Sequence, residues 1–166
     1  MLALDTVVRT ATPADAVDLA RLRWQWRVDE QGERGSSLEA FTVDFASWWA
    51  AHADSHLGFL ALVESRPVGM AWLAIIDRVP GPAQLLRRAG SLQSVYVCSA
   101  ERGRGIGARL VEAAVGAAAE DGLEYVSVHP SARSFSLYRR AGFTDTSGVL
   151  ELDGRDGAST HGSTAT

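Results

Sequence analysis

The sequence predicts a single α/β domain, and three observations carry that prediction. Two apolar runs, residues 57–64 and 67–77, are broken only by Ser65-Arg66 and read as an antiparallel hairpin. In the second half, strand-like runs alternate with helical periodicity, which implies parallel pairing through a strand–helix–strand unit. The length of 166 residues, with 46% hydrophobic and 22% charged side chains, suits one globular unit with a sizeable core.

Each element follows from local chemistry. Thr6-Val-Val-Arg9 reads as a short strand. Thr12-Pro13-Ala14-Asp15 then offers a capping hydroxyl, a proline at the first helical position and an acid in the first turn, so a helix is expected over residues 13–28. Its core face is Ala16, Leu19, Ala20 and Leu22. The polar, glycine-bearing stretch 29–37 is a loop.

Phe41, Phe45, Trp48, Trp49 and His52 recur at helical spacing and predict a second helix over 38–53. The hairpin follows, with Gly69 as a candidate bulge, and Val79-Pro-Gly-Pro82 must be a loop. A strand over 92–97 feeds a glycine-rich turn. Ile106, Leu110, Val111, Ala114, Val115 and Ala118 predict a helix over 106–121 that Gly122 can end.

A strand over 123–128, a short helix over 131–140 and one or two closing strands over 143–152 complete the domain, assigned to residues 1–152. Residues 153–166 include ten Gly, Ala, Ser or Thr and no large apolar side chain, so they are expected to be a disordered tail.

Composition excludes several chemistries. All 16 basic residues are arginine, because the chain has no lysine, and it has no asparagine either. There is therefore no Schiff-base lysine and no phosphate loop of the Gly-Lys-Ser/Thr kind. The formal net charge of −4, with arginines scattered among acids, disfavours a general nucleic-acid binder. Cys98 is the single cysteine, so an internal disulfide and Cys-pair zinc sites are excluded. The first residues lack a signal-peptide pattern and no 18-residue apolar run occurs, so a cytoplasmic protein without a membrane span is expected.

The most informative segment is Val95-Tyr-Val-Cys-Ser-Ala-Glu-Arg102-Gly103-Arg104-Gly105-Ile106-Gly107-Ala108. Glycines at alternate positions let backbone amides approach a ligand, and a helix starting there presents unpaired N–H groups at the positive end of its dipole. With Arg102 and Arg104 this describes a pyrophosphate cradle. The spacing differs from the dinucleotide pattern G-x-G-x-x-G, and a plain strand-to-helix connection is the bland alternative.

Arg102-Gly-Arg-Gly105-Ile-Gly107 resembles the central Arg/Gln-x-x-Gly-x-Gly/Ala motif of the GCN5-related N-acetyltransferase (GNAT) superfamily. Ser131-Ala-Arg-Ser134-Phe-Ser-Leu137-Tyr138 and Ala141-Gly142-Phe143 are similar to a second family motif, Asn-x-x-Ala/Ser-x-x-Leu/Phe-Tyr followed by Gly-Phe. The resemblance is strongest over residues 90–145. Ser131 departs from the usual Asn, which weakens one polar contact to the cofactor that a serine hydroxyl supplies in part.

The resemblance implies a mixed, mostly antiparallel central sheet flanked by helices, with a parallel, splayed strand pair made by residues 92–97 and 123–128. It implies acetyl-CoA as co-substrate, with no metal. Its pantetheine arm would lie along Val95, Tyr96 and Val97 like an added strand. The pyrophosphate would sit on the amides of Arg102, Gly103, Arg104, Gly105, Ile106, Gly107 and Ala108, with Ser131, Ser134 and Tyr138 completing the cofactor set.

The implied reaction is direct attack of a primary amine on the thioester in a ternary complex, which needs a base, an oxyanion donor and an acid for the departing thiolate. Tyr138 matches the family's general-acid tyrosine; packing is its alternative role. The Val97 amide is the candidate oxyanion donor. The base is open among Glu30, Glu33 and His129, each also readable as a solvated group. Glu30 is the candidate taken forward.

Cys98 reads as an ordinary residue leaving the strand, since no partner arrangement for a nucleophile accompanies it. His52 and His56 have metal-compatible spacing but lack the His-Glu-x-x-His context. Trp24 and Trp26 diverge by about 200 degrees on a helix, so at least one can line an acceptor cleft with Arg23 or Arg27. The acids Asp29, Glu30 and Glu33 hint at a cationic amine. The acceptor is expected to be a small molecule, peptide or protein amine, and an aromatic-rich surface could support a homodimer. Competing functions are a CoA-binding sensor of the same fold without turnover, and a nucleotide-phosphate binder outside that family. Without lysines, the chain could acetylate only its own N-terminus.

Overall fold

The computed structural model of the chain describes residues 5–146 and 148–151. In chain order the elements are β1 (Thr6–Thr10), a 3-10 turn (Pro13–Asp15), α1 (Ala16–Trp24), a π turn (Gln25–Glu30), α2 (Leu38–Ala51), β2 (His56–Val63), β3 (Arg66–Asp77), β4 (Arg88–Val97), α3 (Ile106–Glu120), β5 (Val126–Val128) and α4 (Phe135–Arg140). The five strands form one sheet in the order β1-β2-β3-β4-β5. The first four are antiparallel neighbours, and β4 and β5 pair in parallel.

Both faces of this sheet are covered, which is why its central strands read as continuous apolar runs rather than an alternation. Successive residues of β2 show it: Phe59 enters a cluster with Leu73, Leu92, Leu110 and Val111, on the side covered by α3. Leu60 enters a second cluster with Leu19, Met70, Trp72 and Tyr96, on the side of α1 and α2. The predicted core residues Ala16, Leu19, Ala20 and Leu22 are all buried. The first turn is anchored by Asp15, whose carboxylate takes both Arg9 guanidinium nitrogens at 2.7 Å and the Thr12 amide at 2.7 Å.

Two irregularities of β4 position the site. Met70 pairs with Tyr96 but Trp72 pairs with Gln93, so Ser94 and Val95 together stand opposite Ala71. This is a β-bulge, at which Ser94 takes the left-handed conformation (φ +53°). The pairing with β5 runs only from Gly90↔Val126 to Leu92↔Val128. Beyond Leu92 the two parallel strands have no further paired residues, and β4 runs on through the bulge to Val97 paired with β3 but not with β5. Gly90 lets β5 approach: a Cβ there would meet Leu73 Cδ1 at 2.9 Å and Leu123 Cδ1 at 3.0 Å.

Several expectations need correction. Residues 143–146 and 148–151 form no strand, so the closing strands expected over 143–152 are absent among the described residues. The hairpin turns one residue earlier, on Glu64 (φ 50°) and Ser65 (φ 65°), both left-handed without glycine. β4 begins at Arg88, four positions before the expected strand, because pairing with β3 and β5 overrides the poor strand propensity of Arg-Ala-Gly-Ser. Conversely, β5 and α4 start later than expected, at Val126 and Phe135. The extra residue between β2 and β3 is Val68, beside the expected Gly69: Ala61 pairs with Gly69 and Leu62 with Pro67. The tail expected at 153–166 lies outside the described residues.

Candidate active site

The end of β4, the loop after it and the start of α3 meet at one place. Cys98 donates its amide to the Val68 carbonyl at 2.8 Å. By the alternation of an antiparallel ladder, Val97 then turns its N–H and C=O away from β3, toward the unpaired side of β4. The Val97 carbonyl accepts from Arg102 Nε at 2.9 Å, which folds the loop back onto the strand.

Gly103 (φ 77°) and Gly105 (φ 76°) are left-handed, and no atom lies within 4 Å of where a Cβ would sit at either. Gly105 is the N-cap of α3 and supplies no side-chain cap. The first helical bond is Arg109 N–H to the Gly105 carbonyl, at 3.2 Å, so the amides of Ile106, Gly107 and Ala108 precede the intrahelical ladder. Gly107 brings α3 close to its neighbours: a Cβ on it would lie 3.7 Å from Leu137 of α4 and 4.0 Å from Val97.

The arginines of the loop are not free. Arg102 reaches Glu30 Oε2 at 2.7 Å, and Arg104 pairs with Glu101. Glu101 is only 7% exposed and also takes Arg66 at 3.1 Å. Sequence reasoning missed Glu101. An acid three residues before Arg104, at the turn, is the signal that marks it.

Tyr138, 7% exposed, packs its ring edge-on against Phe143 at 5.7 Å. Its hydroxyl has no hydrogen-bond partner among the described residues and is not sealed from solvent. Burial raises its pKa, so the phenol stays protonated. It borders a cavity of about 1070 Å³ between β5 and α4, together with Val128, His129 and Phe135. Ser131 and Ser134 sit before α4 and bond each other through their hydroxyls at 2.9 Å.

On the other face of β4 four side chains form a row. Arg102 lies 5.7 Å over the Tyr96 ring, Tyr96 stacks on Trp26 at 5.6 Å, and Arg23 lies 5.4 Å over Trp26. Trp24 instead turns to Phe41 at 5.9 Å, the divergence expected of a helical pair two apart. Arg23 donates to Ser94 Oγ at 2.7 Å.

The candidate bases are dispersed. Glu30 takes the Tyr96 hydroxyl at 2.6 Å and Arg102 at 2.7 Å. Burial works against its ionisation, but these two donors outweigh it and hold the carboxyl below its ordinary value. Glu33 pairs with Arg27. His129 is exposed and lies 3.7 Å from Glu151. Burial raises the Cys98 thiol, whose sulfur faces Gln25 Oε1 at 3.6 Å, so it is not an activated thiolate. His52 and His56 pack around Trp48, and no group of three metal-ligating side chains occurs among the described residues.

Comparison with known proteins decides the family. Residues 18–143 match the family model described as acetyltransferase (GNAT) family. The chain belongs to that family. As a GNAT member it is an N-acetyltransferase, and its mixed five-stranded sheet has the GNAT architecture. A GCN5-related N-acetyltransferase from Ralstonia eutropha JMP134 is 26% identical, with a TM-score of 0.68 over 89% of this chain and 98% of that one. A predicted acetyltransferase with acetyl-CoA from Clostridium acetobutylicum shares the fold at 22% identity and a TM-score of 0.72, over 90% of this chain and 96% of that one. Glucosamine-6-phosphate N-acetyltransferase from Arabidopsis thaliana does so at 18% identity and a TM-score of 0.68, over 89% and 97%. No curated protein matches the sequence. No helix of the described residues is long and apolar enough to cross a membrane.

Proposed function

We propose that this GNAT protein transfers an acetyl group from acetyl-CoA to a primary amine by direct attack in a ternary complex. One observation carries the reading: the uncapped start of α3 opens where β4 runs unpaired beyond β5, with the Tyr138 phenol on the next helix. The residues fit the co-substrate. Left-handed Gly103 and Gly105 leave open space over the loop, and the amides of Ile106, Gly107 and Ala108 are free of the helical ladder. These amides and the α3 dipole would hold the pyrophosphate, with Val95 and Val97 offering backbone groups to the pantetheine arm. Because Arg102 and Arg104 are engaged by Glu30 and Glu101, their guanidiniums would contribute after exchanging partners.

When bound, the thioester would supply the activated acetyl group. Tyr138 is the residue placed to give up a proton, since it stays neutral and its hydroxyl is uncommitted. The Val97 amide is the donor available to a carbonyl oxygen on the open side of β4. Glu30, held by two donors, fits a positioning role better than that of base, and proton removal from the amine would run through water. Ser131 and Ser134 close the turn before α4. Calorimetry with acetyl-CoA, followed by free-thiol release over an amine panel, tests the reading. Absence of acetyl-CoA binding overturns it.

The clamped Glu30 also favours a second reading, a CoA-binding sensor or partner-binding domain with weak turnover. Tight acetyl-CoA binding with no thiol release on any amine would select it.

A further inference from the structure

Two of the three acids that would attract a cationic acceptor are already matched. Glu30 is held by Tyr96 and Arg102, and Glu33 by Arg27, which also donates to Gln31 at 2.9 Å. In the row of Arg23, Trp26, Tyr96 and Arg102, the cation without a carboxylate is Arg23. It sits in the last turn of α1, half-buried, and no carboxylate comes within ion-pair distance of it among the described residues. It spends one guanidinium nitrogen on Ser94 Oγ at 2.7 Å and rests 5.4 Å over the Trp26 ring. A guanidinium carries several N–H donors in a planar fork, and none of the others has an acceptor among the described residues.

Its location gives this spare fork a use. Ser94 is the bulge residue of β4, two positions beyond Leu92, the last residue paired with β5. A group bound by Arg23 would therefore stand at the point where the parallel pair opens, on the α1 side of β4. Resting on the proposed function, we infer that Arg23 is an acceptor-specificity residue that takes a carboxylate carried by the amine substrate, so the preferred acceptors are amino acids or similar small amino carboxylates. A carboxylate matches the fork in two parallel hydrogen bonds and neutralises a cation that has no partner of its own. Burial disfavours the Arg23 charge, as does nearby Arg27, and together they outweigh the support it draws from Glu33; an anionic ligand adds to that support.

The test uses the whole protein with acetyl-CoA and matched pairs, each amino acid beside its carboxamide, read as kcat/KM by thiol release. The wild type is expected to favour the acids by about tenfold or more. Arg23→Gln should bring each pair to near parity, through KM rather than kcat, with acetyl-CoA affinity unchanged. Arg23→Lys keeps the charge but not the fork, and should retain a reduced preference. Carboxamides accepted as well as acids by the wild type, or an acid preference that survives Arg23→Gln, would overturn the inference and leave acetyl transfer standing. Loss of acetyl-CoA binding in the wild type would overturn both.

Discussion

The Tyr96 hydroxyl donates to the Glu30 carboxylate at 2.6 Å, joining the π turn after α1 to the strand that borders the candidate site. Glu30's second oxygen holds Arg102, so one carboxylate ties three parts of the chain: the α1 exit, β4 and the loop before α3. Burial and this hydrogen bond push the Tyr96 phenol above the usual tyrosine range, which keeps it a donor at every working pH.

Glu30→Gln is therefore expected to act on loop order. It should lower kcat less than about tenfold and leave the pH–rate profile in place, whereas removal of a general base costs about 10²–10⁴-fold. Steady-state kinetics across pH distinguishes the two.

Tyr138→Phe should lower kcat by about 10²-fold or more with acetyl-CoA affinity retained. The folded state should melt where the wild type does, because the hydroxyl bonds no described residue. An unchanged kcat would return Tyr138 to a packing role against Phe143.

Gly105→Ala forces a left-handed residue to carry a Cβ, at a cost of about 1–2 kcal/mol in unfolding free energy. No atom lies within 4 Å of that Cβ, so its larger effect should be on the ligand: acetyl-CoA affinity falls by more than about tenfold, read by calorimetry. Gly116→Ala is the contrast, since it lies inside α3 with open space around it and should stabilise by about 0.5–1 kcal/mol.

Asp15→Ala should cost about 2–3 kcal/mol, because it leaves Arg9 and the Thr12 amide without their acceptor at a position 8% exposed. The Arg9 hydrogen bonds hold the Asp15 carboxyl far below the usual range. Its contribution is thus complete above the ordinary aspartate value and is lost only as pH falls through the lower folded one. Urea unfolding from neutral to acid pH should show the wild type and variant converging at the acid end.

His56 tests the opposite kind of group. Burial, then the neighbouring His52 charge, hold its imidazole below the ordinary value. The unfolded chain therefore binds the proton more readily, and the contribution to stability is full above about pH 6.5 and lost as pH falls from there. His56→Gln should flatten that part of the melting-temperature profile between neutral pH and about pH 5.

Much of this was legible in the chain. The apolar period of α3, the paired runs of β2 and β3, and the glycine turn each carry their own local signal, and the alternation of strands and helix predicted the parallel pair. What was not legible depends on partners distant in sequence. Arg88-Ala-Gly-Ser has no strand propensity and becomes strand through its neighbours on both sides. The loop acids read as a cationic-substrate hint because their arginine partners lie up to 72 positions away, as in Arg102–Glu30. The closing strands, absent among the described residues, were inferred from propensity over 143–152, and propensity alone does not secure pairing.

The bulge at Ser94 and Val95 has a consequence for how the chain tolerates change in length. Upstream of it, even-numbered Leu92 faces the α3 cluster; downstream, odd-numbered Val95 and Val97 do, while Tyr96 faces the aromatic cluster. The extra residue thus works as a phase shifter between two halves of one strand. If every residue of β4 paired one to one, Tyr96 would turn toward α3 and Val97 toward Trp26; with two residues sharing the place opposite Ala71, or with one of the two deleted, each keeps its side. Two-against-one pairing, rather than the identity of the residue at the bulge, is what keeps the site's two walls on their proper sides.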